Sequence, residues 1–188
     1  MSNILVIIAN PNPKSFSFAM AEAFTEEKLK LGHSIESIDL YRSEPKQDFF
    51  TFDKANRVQS KEMDHYQSKI IKADEIVFFF PYWWGSYPAI LHNFIDWNFS
   101  KGFAFKYQNS LPKGLLHGKS VSVFTTTGAP SFYYAITGAT RRLKNTFKQQ
   151  FVHFCGMKLT SFKSFGGVDT SAKKPLKILA QIRKIAKH

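Results

Sequence analysis

Three stretches of this sequence gather residue types able to hold and act on a ligand. The first, Asn10-Pro11-Asn12-Pro13-Lys14-Ser15-Phe16-Ser17, sets hydroxyls and a lysine at the entry to a helical pattern. Free backbone N–H groups and the helix dipole make such an entry favourable for an anion, although Ser15 or Ser17 would equally serve as a plain helix cap. It is neither a Walker loop nor the GxGxxG turn of a dinucleotide fold. The second, Pro81-Tyr82-Trp83-Trp84-Gly85-Ser86-Tyr87-Pro88, holds two of the three tryptophans and two tyrosines between prolines. A flat apolar ring system stacks on aromatics while nearby backbone groups bond its polar edge. A core or dimer-contact role explains either tryptophan alone as well; it does not explain the cluster. The third, Thr125-Thr126-Thr127-Gly128-Ala129-Pro130, ends an apolar run in hydroxyls, and Gly128 would let a ligand approach the backbone closely. An ordinary strand-to-loop turn is the plainer account. Tyr133 and Tyr134 follow, each with an O–H able to donate toward developing charge.

These stretches follow segments that read as strands. Apolar, β-branched runs occur at Ile4–Ala9, Ile35–Leu40, Ile76–Phe80, Val121–Thr125 and around Leu159–Phe165, and the first, third and fourth are continuous enough for strands buried on both faces. Helical patterns lie between them. Ser17–Leu31 carries Met20, Ala23, Phe24 and Leu31, and Met63–Ala73 carries Met63, Tyr66, Ile70 and Ala73. Pro88 opens a third helix, Leu143, Phe147, Phe151 and Phe154 mark a fourth closed by Gly156, and Pro175 opens a last one with Leu176, Leu179, Ile182 and Ile185. Alternating βα units predict a parallel sheet with right-handed crossovers and helices on both faces. Tyr41–Ser60 reads as a long loop. Ligands of such sheets bind beyond the carboxyl ends of the strands, where the three stretches fall.

At 188 residues with 20 Phe, the chain is large enough for one domain with an aromatic core. The single Cys155 cannot form an internal disulfide and reads as a buried small hydrophobe in a reducing compartment. No apolar stretch reaches the ~20 residues needed to cross a bilayer. No histidine pair has ligand spacing joined to a third ligand, so no metal is expected. All six histidines fall outside the three loops. Charge is uneven: residues 141–188 carry 12 Lys/Arg against Asp169 alone. That region is a solvated basic face or a contact for something anionic. Arg141, Arg142 and Lys144 lie nearest the third loop and would favour a nucleotide phosphate; no motif for nucleic acid accompanies them, so nucleic acid is not an expected partner.

Taken together, the loops resemble the flavodoxin-like NAD(P)H:quinone oxidoreductase family, from Ile4 to about Phe165. The most specific parts are Phe80-Pro81-Tyr82-Trp83-Trp84-Gly85 followed by Pro88-Ala89-Ile90-Leu91, and Thr126-Thr127-Gly128. Asp96, Phe99 and Gly102-Phe103-Ala104-Phe105 also fit. The resemblance implies a flavodoxin-like α/β fold: a five-stranded parallel sheet in order 2-1-3-4-5, helices on both faces, one domain over residues 1–188. It implies a cytoplasmic homodimer whose flavin, FMN or FAD, takes hydride from NADPH or NADH and reduces a quinone-like acceptor by ping-pong kinetics. By position, Ser15, Phe16 and Ser17 would hold the flavin phosphate region. Pro81, Tyr82, Trp83, Trp84, Gly85, Thr126, Thr127, Gly128 and Ala129 would line the isoalloxazine, and the Tyr134 hydroxyl would steady charge during hydride transfer. Two departures matter. Asn10 stands where the family usually has His, and it cannot carry charge at neutral pH. Thr140 stands where better-known members have a second His, so Tyr134 would act without a proton store behind it. Small members also serve as ancillary subunits of potassium efflux transporters, which makes peripheral contact with a membrane protein the rival expectation.

Overall fold

The structure, a computed structural model, describes residues 1–51, 59–168 and 173–187. Its strands are β1 (Asn3–Ile8), β2 (Ser34–Asp39), β3 (Glu75–Pro81), β4 (Phe105–Gln108), β5 (Leu111–Gly114), β6 (Ser120–Thr127) and β7 (Lys158–Gly166). Its helices are α1 (Phe16–Lys30), α2 (Lys61–Lys72), α3 (Ala89–Asn98), α4 (Ser131–Ile136), α5 (Ala139–Thr146) and α6 (Lys173–Ala186), and Phe147–His153 continues α5 as a π-helix. β1, β3 and β6 are buried from their second residue to their last, as strands covered on both faces must be. Five strands form one parallel sheet in the order β2-β1-β3-β6-β7. With β6 and β7 as fourth and fifth strands of that sheet, this is the expected 2-1-3-4-5 order.

The alternation of side chains along these strands divides the core in two. Leu5, Ile7, Phe78, Phe80, Val121 and Val123 meet Tyr66, Ile70, Leu91, Phe94, Phe147 and Phe151 on one face. Ile4, Val6, Val77, Phe79 and Phe124 meet Met20, Phe24, Ile178 and Ile182 on the other. Phe79 stacks on Phe124 at 5.1 Å, and Phe24 sets its edge against Phe79 at 5.9 Å. Fully burying a ring of this size contributes about 1.5–3 kcal/mol, so the rings carry much of the fold.

Several boundaries differ from the sequence reading. Thr126 and Thr127 belong to β6, not to the loop after it, and both are buried; the sheet ladder satisfies their backbone and allows hydroxyl side chains inside. A hairpin, β4–β5, occupies the stretch after α3. Leu31 and Leu176 are exposed, because one follows the end of α1 and the other lies early in α6. Helix α6 starts at Lys173, before Pro175. The long loop after β2 is irregular over 41–51, and its residues 52–58 lie outside the described residues. Asn93 on α3 holds that loop by accepting from the Phe50 N–H at 2.7 Å and donating to the Asp48 carbonyl at 3.0 Å.

Candidate functional site

The sheet order reverses at β1, with β2 on one side and β3 on the other, so the connections leaving β1 and β3 open a crevice at that edge. The backbone closes the strand ends tightly there. Ala9 N–H donates to Phe79 at 2.9 Å, Tyr82 N–H to Thr126 at 2.8 Å, and Gly167 N–H to Thr127 at 3.0 Å. All three loops named from the sequence therefore leave one edge side by side.

The first loop is built on Asn10, a buried amide. Its Oδ1 accepts from Asn12 N–H at 3.0 Å, and its Nδ2 donates to the Ser17 hydroxyl at 3.3 Å. Asn10 thus braces the loop against the helix it enters. Ser15 is the N-cap residue of α1, yet its side chain makes no capping bond; its Oγ is buried and has no partner. An orphaned hydroxyl is costly, about 1–3 kcal/mol in a dry interior. It sits beside the N–H groups of Phe16 and Ser17, the first of the helix, while Phe18 N–H donates to the Ser15 carbonyl at 3.1 Å. Ser17 is buried and bonded to Asn10, and Phe16 packs against the core with Phe18. Arg42, which the sequence reading did not single out, also reaches this loop. It pairs with Asp39 at 2.8 Å, donates to the Pro11 carbonyl, and lies 5.7 Å from the Phe18 ring centre. Its place at the end of β2, next to β1, was the signal available.

The second loop is a tight turn. Trp83 N–H donates to the Ser86 carbonyl at 3.0 Å and Ser86 N–H returns to the Trp83 carbonyl at 2.8 Å. Trp84 and Gly85 between them hold φ of 50° and 82°. Gly85 suits that left-handed conformation; Trp84 does not, and such residues occur at functional sites where surroundings over-determine them. The Trp84 side chain is wholly exposed and Trp83 partly so, while Pro81 is buried at the end of β3. Tyr82 sets its ring edge-on to Tyr134 at 5.3 Å. That contact joins the second loop to the third.

In the third loop the Thr127 hydroxyl donates to the Ala129 carbonyl at 3.1 Å, while Thr125 Oγ1 is buried without a partner. A Cβ built on Gly128 would meet no protein atom within 4 Å. One on Gly166 would lie 2.4 Å from the Ser131 nitrogen. So β7 ends pressed against the start of α4, where Gly166 N–H donates to the Ser131 hydroxyl at 2.9 Å. Tyr134, on α4, is half-buried between Tyr82 and Tyr133, and Tyr133 is the more exposed of the pair. Arg142 donates to the Thr137 carbonyl at 2.8 Å and so braces the α4–α5 turn. Thr140 lies in α5, just beyond that turn.

One histidine belongs here after all. His92 of α3 stacks on Tyr87 and bonds Ser86, the last residues of the second loop. His92 is exposed on one side, yet desolvation of the ring against its neighbours pushes its pKa below the usual value against the pull of Asp96; burial raises Tyr87 to about 12. Cys155 is buried and its thiol is also pushed up to about 12, which leaves it a core residue.

The arrangement offers an anion-receptive helix entry, an aromatic wall and an open glycine side by side. A family model described as flavodoxin-like fold matches residues 2–188. An uncharacterised NAD(P)H oxidoreductase of Haemophilus influenzae is 30% identical over 98% of this chain and 95% of its own. An FMN-dependent NADH:quinone oxidoreductase of Mycoplasmoides gallisepticum is 31% identical over all of both chains. The crystal structure of a Streptococcus mutans protein, 28% identical, superposes with a TM-score of 0.80 over 98% of each chain.

Proposed function

The chain belongs to the flavodoxin-like fold family, and on that premise we propose that it is a flavin-dependent oxidoreductase using NAD(P)H to reduce quinone-like acceptors. The observation that carries this reading is the buried, partnerless Ser15 Oγ at the mouth of α1. A phosphate there would accept from that hydroxyl and from the first-turn N–H groups, relieving an otherwise unfavourable burial. The open face of Gly128 and the ring of Tyr82 fit a flat ring system in the adjoining crevice. FMN is the favoured flavin, in line with the name of the Mycoplasmoides relative.

A bound flavin would supply the two-electron chemistry linking NAD(P)H to the acceptor, with ping-pong kinetics as the expected signature. The protein's part is binding, orientation and electrostatics. Asn10 keeps the first loop in register with Ser17. Backbone N–H groups around Gly128 and the Tyr134 hydroxyl would donate to the flavin's polar edge, where negative charge gathers on reduction. Tyr82 fixes the Tyr134 ring by its edge contact. The names of the relatives favour this enzyme over the transporter subunit. Among the described residues no helix is long and apolar enough to cross a membrane. Exposed Trp84, Phe132, Tyr133 and Ile136 beside the crevice support a homodimer with the site near its interface.

The test is direct. The purified protein should show a flavin visible spectrum, or gain one with added FMN, and should oxidise NADH or NADPH only while a quinone is supplied. A protein that binds neither FMN nor FAD would overturn the reading.

A further inference from the structure

Ser86 is engaged from two directions. Its backbone closes the turn that carries Trp84, through the paired bonds with Trp83 at 3.0 and 2.8 Å. Its hydroxyl lies 3.0 Å from His92 Nε2, six residues on in α3. The His92 ring in turn lies nearly parallel to Tyr87, with centroids 3.8 Å apart and planes 19° apart. Behind it, Tyr87 sets its edge against Phe80 at 5.8 Å and Phe147 at 5.6 Å. A continuous chain of contacts therefore runs from the buried core through Tyr87 and His92 to Ser86 and the turn.

That chain has a purpose the turn requires. Trp84 at φ 50° is held where a bulky residue is disfavoured, so the turn persists only if its neighbours over-determine it. The two backbone bonds tie Trp83 to Ser86 but do not tie the turn to the rest of the molecule. Tyr82 ties its entry to the third loop, and the His92 bond ties its exit to α3. Helix α3 is a rigid support, since Leu91 and Phe94 beside His92 are buried in the core.

We infer that His92 is a positioning residue: through its bond to Ser86 and its stack on Tyr87 it fixes the Trp83–Ser86 turn in the geometry that receives the flavin ring. This deepens the flavin reading and rests on it. Losing one such bond weakens FMN binding by up to about tenfold.

Ser86→Ala removes the bond from the loop side, and His92→Phe removes it from the helix side while keeping a ring on Tyr87. FMN is titrated into apoprotein of the wild type, each single variant and the double variant. Separately, the Trp84 indole N–H resonance, assigned by its loss in Trp84→Phe, is followed in all four apoproteins. Both single variants should weaken FMN binding similarly, the double variant no further, and the Trp84 resonance should shift in each. A purely structural contribution would lower thermal stability and leave that resonance in place. Unchanged FMN affinity with an unmoved resonance in both variants overturns the inference, as do fully additive effects. If wild type binds no flavin, the flavin reading fails, and the Trp84 resonance alone then decides whether His92 holds the turn. If His92→Phe does not fold, Ser86→Ala, a change at a partly exposed side chain, carries the test.

Discussion

Adding a single methyl group at either of two glycines should separate binding from folding. At Gly128 a Cβ would meet no protein atom within 4 Å, and the backbone is outside the left-handed region. Gly128→Ala therefore meets no steric penalty in the free protein. Restricting the unfolded chain should leave stability unchanged or raise it by about 0.4–1 kcal/mol, roughly 1–4 °C in Tm for a chain of this size. The same methyl would occupy space into which the flavin ring packs. Overfilling a well-packed contact costs about 1–3 kcal/mol, a loss of roughly 5- to 150-fold in FMN affinity. Gly166→Ala should do the reverse to the fold. Its Cβ would lie 2.4 Å from the Ser131 nitrogen and 2.8 Å from the Ala129 carbonyl oxygen, both backbone atoms unable to swing aside. Relieving that overlap also endangers the Gly166–Ser131 bond. The upper end of the same range, about 3 kcal/mol, lowers Tm by roughly 6–12 °C. Calorimetry of the apoproteins and fluorescence titration with FMN measure both quantities. A Gly128→Ala protein that is clearly destabilised, or that binds FMN as tightly as the wild type, refutes the placement of the ligand over that glycine.

Three more expectations follow from the same geometry. Tyr134→Phe keeps the edge contact with Tyr82 and loses only the hydroxyl; flavin reduction by NAD(P)H in stopped flow should slow about tenfold with FMN still bound, and a wild-type rate would remove Tyr134 from the chemistry. Cys155, buried with its thiol pushed up to about 12, should resist thiol reagents at neutral pH until the protein unfolds; rapid modification of the folded protein would contradict its place in the core. His92 has its pKa lowered by partial desolvation of its ring, so the unfolded chain binds more protons as pH falls through 6.5 toward the folded value. Stability should drop over that acid window in the wild type relative to His92→Phe, and parallel pH profiles would show that the ring is not held neutral.

The sheet was legible because β1, β3 and β6 are apolar on both faces and each is followed by a helical pattern. Other features were hidden for physical reasons. Strands β4 and β5 show no alternation because almost all their side chains are exposed, and Pro112 speaks against a strand. The hint was Asn109-Ser110, whose φ values of 50° and 63° make the tight hairpin turn. Thr126 and Thr127 read as loop because hydroxyls at a strand end usually signal a turn. His92 was placed outside the three loops, and it does lie exposed on α3; nothing local in the sequence reveals its bond to Ser86 or its stack on Tyr87. Ser15 was named for its hydroxyl, whose burial without a partner depends on how the first loop packs against α1 and has no local signal in the sequence.

The seam between Gly166 and Ser131 has a dynamic consequence. β7 is the last strand of the sheet, with a parallel neighbour on one side only. Edge strands ordinarily fray first, and their amide hydrogens exchange with solvent through local opening. Here the end of that strand is fastened to the start of α4, and Gly167 N–H reaches back to Thr127. Peeling β7 away thus entails releasing the third loop. A ligand bound against that loop adds its binding free energy to the opening reaction, and hydrogen exchange along Phe165–Gly167 should slow in proportion to ligand concentration over Kd. An edge strand would then report, from outside the crevice, on whether the crevice is filled.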